Sequence, residues 1–555
     1  MGEEEARFLM SDIVLQHLIM SSRVVDGADA LFCRTHASFP ISLSPGETAD
    51  LNCHFNLFHM GIYREHTGCS DYHLRIMMEG EASVIMHGCD GDNIIHIDGD
   101  SSIPLPTASD IIGFSIDAVT SCRIVSAEIC CSCDKVRDVK VSLCICTYNN
   151  DGRIIDKVSR IDSFFKDLDE RGPEIVITDN GMTLGRIGGA TVIPSGNYGG
   201  SAGFTRSMMH AMRNGSDYMI LNDDDAVFEP EILYRVMTLL SLTDDEMTIG
   251  GTMLCMDDVT RVGESGAKVI GQEHIPLKCG LDLSGIEGNM ELAKDGRSDY
   301  NGWWFYVIPR RTIEEHGYPL PMFLKNDDVE YGLRTVPDII RMIGISVWHP
   351  SMVSRYSSSI RYYDFRNLLV ALCIHDDIIV KKAISDILLE ISAYRYLNAE
   401  AMMSGLRDYL KGPGYLFGQC IDGMKGLPDE DIRELTVSEK ENSTDHGKRD
   451  VPGYMFRKYT MNGLFLPSIG ERELSAFCMF TEEFYRVGRI TYVIDGERGF
   501  VARRNRVRTV KDTIRALGLG LSLRRRKRAL KRAYRESLPS HSSEDGWKGI
   551  FGKDD

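Results

Sequence analysis

No run of eighteen or more apolar residues occurs in the 555-residue chain, so no segment reads as a membrane-spanning helix. No internal repeat is visible, which excludes solenoid and propeller arrays. Basic residues are in deficit. The 63 Lys and Arg stand against 81 Asp and Glu, a formal charge of −18, which argues against nucleic acid as the main partner because phosphate binding needs clustered cations. No targeting segment is expected: residues 1–6 are acidic where a secretory signal would be basic, and position 6 is Ala where a myristoylation motif wants Ser or Thr. The fifteen Cys form no pair of CxxC motifs. Cys130, Cys131, Cys133, Cys144 and Cys146 alternate along two apparent strands, so they read as reduced, small hydrophobes rather than a zinc site. With 43% hydrophobic and 26% charged residues, the chain reads as a soluble globular protein, and about 150 residues per domain suggests three or four domains.

The charge is unevenly spread. Residues 501–535 hold 14 Lys or Arg against one acid, Asp512, and Leu517, Leu519, Leu521 and Leu523 lie between the basic clusters. Residues 1–137 are read as a β-rich unit of short strands between Gly, Asp and Ser turns, a sandwich or barrel. From 138 to 370 the pattern alternates. Strands are expected at 139–146, 174–178, 190–194 and 218–221, with helices at 153–170 and 203–214, which means a mostly parallel sheet with helices on its faces. Such sheets bind ligands at the carboxyl ends of their strands. Helical periodicity dominates from about 371 to 500, most clearly over 378–410, with 434–500 less regular. The basic segment 501–555 is read as one or two amphipathic helices with a loose end after Pro539.

The chemistry clusters at the expected strand ends. Asp223, Asp224 and Asp225 follow an apolar strand directly, and burying adjacent carboxylates is costly unless a cation neutralises them. Oxygen-rich ligation of that kind suits Mg²⁺ or Mn²⁺ shared with substrate phosphates, and the bland alternative is a solvated acidic turn. Asp327 and Asp328 enter a helix, where one carboxylate can cap and the other act as a general base. His349 closes a strand, as a third metal ligand or as a structural residue. Trp303 and Trp304 are adjacent, so one ring can be core while the other faces a sugar ring. The loop from Asn197 to Phe204 is Gly-rich and opens a helix, but lacks both the Walker A and the GxGxxG spacing.

In order, these motifs resemble family 2 GT-A glycosyltransferases: Cys146-Thr147-Tyr148-Asn149, Asp179-Asn180-Gly181, the Asn197 loop, the Asp-Asp-Asp turn, Asp327-Asp328 and Trp348-His349. The runs from Asp299 to Trp304 and from Pro319 to Phe323, with Tyr331-Gly332-Leu333-Arg334, resemble the polymerising galactofuranosyltransferases of actinobacterial cell walls. That resemblance implies an α/β GT-A (Rossmann-like) domain between an N-terminal β-sandwich or barrel and a helical C-terminal region. It implies an inverting, metal-dependent transfer of a sugar, UDP-galactofuranose favoured as donor, to a glycan or glycolipid hydroxyl. Asp223, Asp225 and His349 would hold Mn²⁺ or Mg²⁺. Thr147, Asn149, Asn150, Arg153, Asp179, Asn197, Asp223 and Asp224 would meet the nucleotide sugar, Asn150 standing where relatives carry Arg. Asp328 would be the base, Asp327 would bond sugar hydroxyls, and Trp303, Trp304 and Glu264 would line the acceptor groove. The basic segment would rest on an anionic membrane surface from the cytoplasmic side, and relatives suggest a homo-oligomer. The competing readings are another nucleotide-sugar donor and a non-catalytic glycan-binding scaffold.

Overall fold

The computed structural model describes residues 12–36, 38–294, 296–350, 356–418, 426–436 and 451–552. The acidic residues 1–6 lie outside them.

The N-terminal part is two antiparallel sheets. In one, Ile13–His17, Cys122–Ser132, Ser70–Glu79 and Ser101–Pro104 lie side by side, and Ile41–Leu43 also pairs with Cys122–Ser132. The other orders Thr48–Asp50, Gly113–Ala118, Glu81–Gly88 and Gly91–Asp98. Alternation sends Leu74, Ile76 and Met78 from the first sheet, and Val84 and Met86 from the second, into one shared core.

A seven-stranded sheet follows. Ala190–Pro194, Glu174–Asp179, Val141–Thr147 and Tyr218–Asp223 are parallel neighbours in that order, and Tyr306–Pro309 runs antiparallel beside the last. Buried on both faces, the strands Val141–Thr147, Glu174–Asp179 and Tyr218–Asp223 are near-continuous apolar runs, which is why their positions were readable from sequence. The helices Asp151–Asp167 and Gly199–Arg213 connect them, the second starting four residues earlier than expected. Chain order reverses at Val141–Thr147, so a crevice opens where its end and that of Tyr218–Asp223 meet. A smaller sheet pairs Thr252–Cys255 with Val262–Glu264 and with Ser346–His349.

The two parts are fastened by a buried ion pair. Arg235 donates to Glu231 at 3.0 Å and also to the carbonyls of Phe55 and His17, while Glu231 accepts from the His17 backbone at 2.8 Å. Phe55 packs at 5.3 Å from the Trp348 ring, so the N-terminal sheets brace the strand that ends in His349.

The expected helical run over 378–410 is two helices, Val380–Ser392 and Tyr396–Lys411. The break falls at Tyr394, with φ of 61°, and Arg395, whose buried guanidinium donates to Glu390 at 2.5 Å. With Ser358–His375 they form a bundle around Arg506–His541, a 36-residue helix. The expected mostly helical stretch 371–500 also holds a sheet, in its less regular part. Arg433–Glu434, Arg498–Arg503, Arg489–Val493 and Glu471–Ser475 make a four-stranded sheet, with Asp495-Gly496 turning one hairpin. The loose end expected after Pro539 is corrected: Arg506–His541 runs through Pro539 and a further helix, Glu544–Phe551, docks on the α/β unit. There Trp547 is fully buried and donates to the Pro319 carbonyl at 2.9 Å.

Candidate active site

Asp223 ends its strand opposite Cys146, and its backbone N–H donates to the Trp303 carbonyl. The chain then turns, Ala226 N–H bonding back to the Asp223 carbonyl, and Val227 exchanges two 2.8 Å hydrogen bonds with Trp348. That bridge sets His349 against the acidic turn. His349 Nε2 lies 3.2 Å from Asp225 Oδ1 and 3.7 Å from Asp223 Oδ2, while Nδ1 donates to the Pro350 carbonyl at 2.8 Å. The carbonyl fixes the proton on Nδ1 and leaves the Nε2 lone pair facing the carboxylates, which is the tautomer a metal ligand needs. Asp223, Asp225 and His349 offer three ligand atoms within 4.8 Å of one another. Two carboxylates and an imidazole in this arrangement fit Mn²⁺ or Mg²⁺.

Asp224 points elsewhere, its Oδ2 accepting from Thr147 Oγ1 at 2.9 Å across the crevice. Behind the turn lies a residue the sequence reading missed. Lys157 Nζ donates to Asn222 Oδ1 at 2.5 Å and to the Asp223 carbonyl at 2.8 Å. Burial lowers its pKa to about 8 despite the opposing pull of Asp224 and Asp223. The signal was a lysine on the apolar stripe Ile154, Val158, Ile161 and Phe165. Arg153 is exposed one turn earlier on the same helix, which Asn150 precedes.

Asp179 is fully buried, and its oxygens accept from the backbone N–H groups of Gly181 and Leu184 at 2.9 and 2.7 Å. Its carboxylate therefore shapes the loop after its strand, which ends opposite Thr147. Asn149, at φ of 55°, lies against Gly181 of that loop. Asn197 Oδ1 accepts from Gly199 N–H at 3.2 Å. The Gly-rich segment serves packing. Gly199, at φ of 83°, lies against the Phe323 backbone, and a Cβ at Gly203 would overlap Cys146 Sγ.

Asp327 and Asp328 open the helix Asp327–Thr335 after three non-Gly residues at positive φ, Phe323, Lys325 and Asn326. This strained loop is held from behind by Asn367, which donates to the carbonyls of Met322, Leu324 and Lys325, and by Arg366, which donates to that of Met322. Burial raises the pKa of both aspartates, the negative field of Asp223 adding to it, while the Val329 N–H, 2.8 Å from Asp328 Oδ1, works against it for Asp328. Asp328 lines a cavity of about 510 Å³ with Glu264, His274, Trp304, Lys325 and Arg361. Trp304 forms the wall toward the metal-ligand group: its ring lies 6.3 Å from His349 and its N–H donates to the Gly251 carbonyl. Trp303 is corrected from the groove to the core. It is buried edge-on to Phe204 and Tyr331, while Trp304 alone of the pair meets the cavity, one ring in the core and one outside it. A larger cleft of about 920 Å³, between residues 59–66 and 336–341, holds none of the clustered carboxylates.

No family model matches the chain. Galactofuranosyltransferase GlfT2 of Mycobacterium tuberculosis is 23% identical over an alignment 592 positions long with its gaps, covering 93% of this chain and 92% of that protein. Galactofuranosyltransferase GlfT2 of Mycolicibacterium smegmatis is 24% identical over 457, covering 72% and 69%. Among solved structures, a mannosyltransferase from Pyrobaculum calidifontis in complex with GDP-Man and Mn²⁺ covers 42% of this chain and 66% of that one. At 15% identity and a TM-score of 0.26, that overlay carries no weight for the site. By sequence the chain is a glycosyltransferase resembling the galactofuranosyltransferases over nearly its whole length.

Proposed function

We propose that the chain is an inverting GT-A galactofuranosyltransferase, moving galactofuranose from UDP-galactofuranose to a glycan hydroxyl. The observation that carries this reading is spatial. A three-ligand group suited to a divalent ion stands one tryptophan wall away from a cavity lined by the half-buried Asp328. The relatives named above supply the sugar.

Asp223, Asp225 and His349 would hold the ion, which when bound supplies a Lewis acid for the charge on the departing diphosphate. Thr147, Asn149, Asn150, Arg153, Asp179, Asn197, Asp223 and Asp224 would meet the nucleotide sugar. Asp328 takes the acceptor proton as that oxygen bonds to the anomeric carbon, while the bond to the diphosphate breaks on the opposite face. A single displacement inverts the centre and requires no enzyme nucleophile. Trp304 and Glu264 would bind acceptor rings and hydroxyls, with Asp327 beside them.

In this reading the α/β unit 138–370 carries the chemistry, with the β sheets of 1–137 and the C-terminal bundle as its two flanks. The cationic helix would rest on an anionic membrane surface. Val507, Ile514, Leu517 and Leu521 are between 50 and 79% exposed along one face, which runs on into the exposed Arg524, Arg525 and Arg528. Among the described residues no helix is long and apolar enough to cross a membrane.

The test is transfer from a panel of UDP-sugars to a short galactofuranosyl acceptor with Mn²⁺ or Mg²⁺, followed by product mass. Asp328→Asn should lower turnover by roughly 10² to 10⁴ with UDP binding intact. Turnover with another donor alone would overturn the sugar assignment, and a fully active Asp328→Asn would overturn the base.

A further inference from the structure

The cysteines were read from sequence as inert hydrophobes, and one group of them departs from that reading. Cys69 lies between the helix Met60–His66 and the strand Ser70–Glu79. That strand pairs antiparallel with Cys122–Ser132, Ser70 opposite Ser132, so Cys69 falls beside Cys133 just beyond the pair. Cys131 and Cys133 are two apart and share a face. Pairing and alternation together set Cys69, Cys131 and Cys133 on one face where the two strands meet. Thr67 Oγ1 accepts from the Cys69 N–H at 3.2 Å.

We propose that Cys69, Cys131 and Cys133 form a thiol–disulfide exchange centre, with Cys69 as the attacking thiol and Cys131 or Cys133 as the resolving one. Accessibility sets Cys131 apart: it is fully buried, whereas Cys69 and Cys133 are half-buried, and Cys69 meets a small reagent from solvent. The neighbouring Cys131 thiol lowers the Cys69 pKa, which raises the share of nucleophilic thiolate near neutrality. A metal site is the poorer reading. Among the described residues only Asp223, Asp225 and His349 bring three ligand atoms within 4.8 Å of one another, so the three sulfurs do not close round one ion.

The chemistry balances with a low-molecular-weight disulfide as oxidant. The Cys69 thiolate attacks one sulfur, its partner leaves as a thiolate, and a mixed disulfide forms. The resolving thiolate then attacks Cys69 and expels the second small thiol. Two protein thiols are oxidised, and one disulfide is reduced to two thiols.

The experiment treats the full chain with glutathione disulfide at pH 7, traps free thiols with N-ethylmaleimide and maps tryptic peptides. Residues 65–75 carry Cys69, and residues 124–135 carry Cys130, Cys131 and Cys133. The expected product links these two peptides, with Cys130 alkylated and two glutathione thiols released per chain. Cys69 should react at least tenfold faster than the buried Cys122. The Cys131→Ser/Cys133→Ser variant should stop at glutathione on Cys69, and Cys69→Ser should give neither product. The proposal is overturned if Cys69 in the wild-type chain stays fully alkylatable or keeps its glutathione. It is equally overturned if the purified chain holds stoichiometric zinc that Cys69→Ser loses. The wild-type mapping decides the matter even if a variant fails to fold.

Discussion

Replacing Glu264 by Gln should stabilise the protein above neutral pH and have no pH-dependent effect in acid. Glu264 closes the strand Val262–Glu264, and its Oε1 is buried with no hydrogen-bond partner among the described residues. Arg341, the nearest cation, is turned to Ser298 and to the Gly296 carbonyl. Burial first, and the charge of Asp328 second, raise the Glu264 pKa from its ordinary 4.5 to about 7. The folded state therefore holds this proton more tightly than the unfolded chain does. Stability falls as pH rises from 4.5 to about 7, by roughly 3 kcal/mol at about 1.4 kcal/mol per pH unit, and stays at that lower level above. Gln is neutral throughout, so the variant escapes the loss. Any constant cost of the amide cancels when the two proteins are compared across pH. The assay is the melting temperature of both proteins from pH 4.5 to 8.5 without metal or donor. The difference should already be growing at pH 4.5, grow fastest through pH 5 to 7 in favour of Gln, and level off above about pH 8. A difference that does not change with pH would show that Glu264 ionises normally and would refute the argument. If Glu264 also binds acceptor hydroxyls, the same variant should lose transfer while gaining stability.

His349→Ala should weaken Mn²⁺ binding at least tenfold by electron paramagnetic resonance, whereas Asp328→Asn should leave it unchanged. Equal losses in both would dissolve the division between ligand and base. Trp547→Ala removes an aromatic side chain worth about 3–5 kcal/mol and should release the C-terminal helix to proteases, raising the donor KM with kcat nearly unchanged. A lower kcat at unchanged KM would count against a role on the donor side. Reversing Arg524, Arg525 and Arg528 to Glu should cost at least a hundredfold in binding to anionic vesicles, at about 1 kcal/mol per charge, without affecting transfer to a soluble acceptor. Undiminished sedimentation with those vesicles would remove the membrane from the account.

The parallel strands and the three acidic motifs were legible because local pattern decides them. A strand buried on both faces must be an apolar run, and carboxylates at its end have few other reasons to gather. Lys157 was missed although it interrupts an apolar stripe, because its partners Asn222 and Asp223 come from another strand. Arg366 and Asn367 look like ordinary polar residues in a helix, and only the fold shows them holding the strained loop before Asp327. The Gly-rich segment holds another constraint that local pattern does not show. Its glycines answer to steric neighbours, the Phe323 backbone and Cys146, that are distant in sequence. The C-terminal sheet was hidden because its strands are short, although the Asp495-Gly496 hairpin signal was present.

The docked C-terminal helix ties the crevice to the last residues described. Phe551 lies 6.0 Å from the Tyr198 ring and 4.7 Å from the Arg206 guanidinium, and Arg206 donates to Ser195 Oγ at 3.1 Å, so this helix backs the Asn197 loop. Loop and brace are separated by some 350 positions of sequence. At about 5–20 residues per second, a ribosome that has just made the loop needs roughly 20 to 70 s more to make the residue that supports it. Throughout that interval the nascent α/β unit exposes the patch that Trp547 and Phe551 will cover. The crevice is thus completed last, after both flanks exist, and a chain stalled anywhere short of residue 551 carries every acidic motif on an unbraced loop.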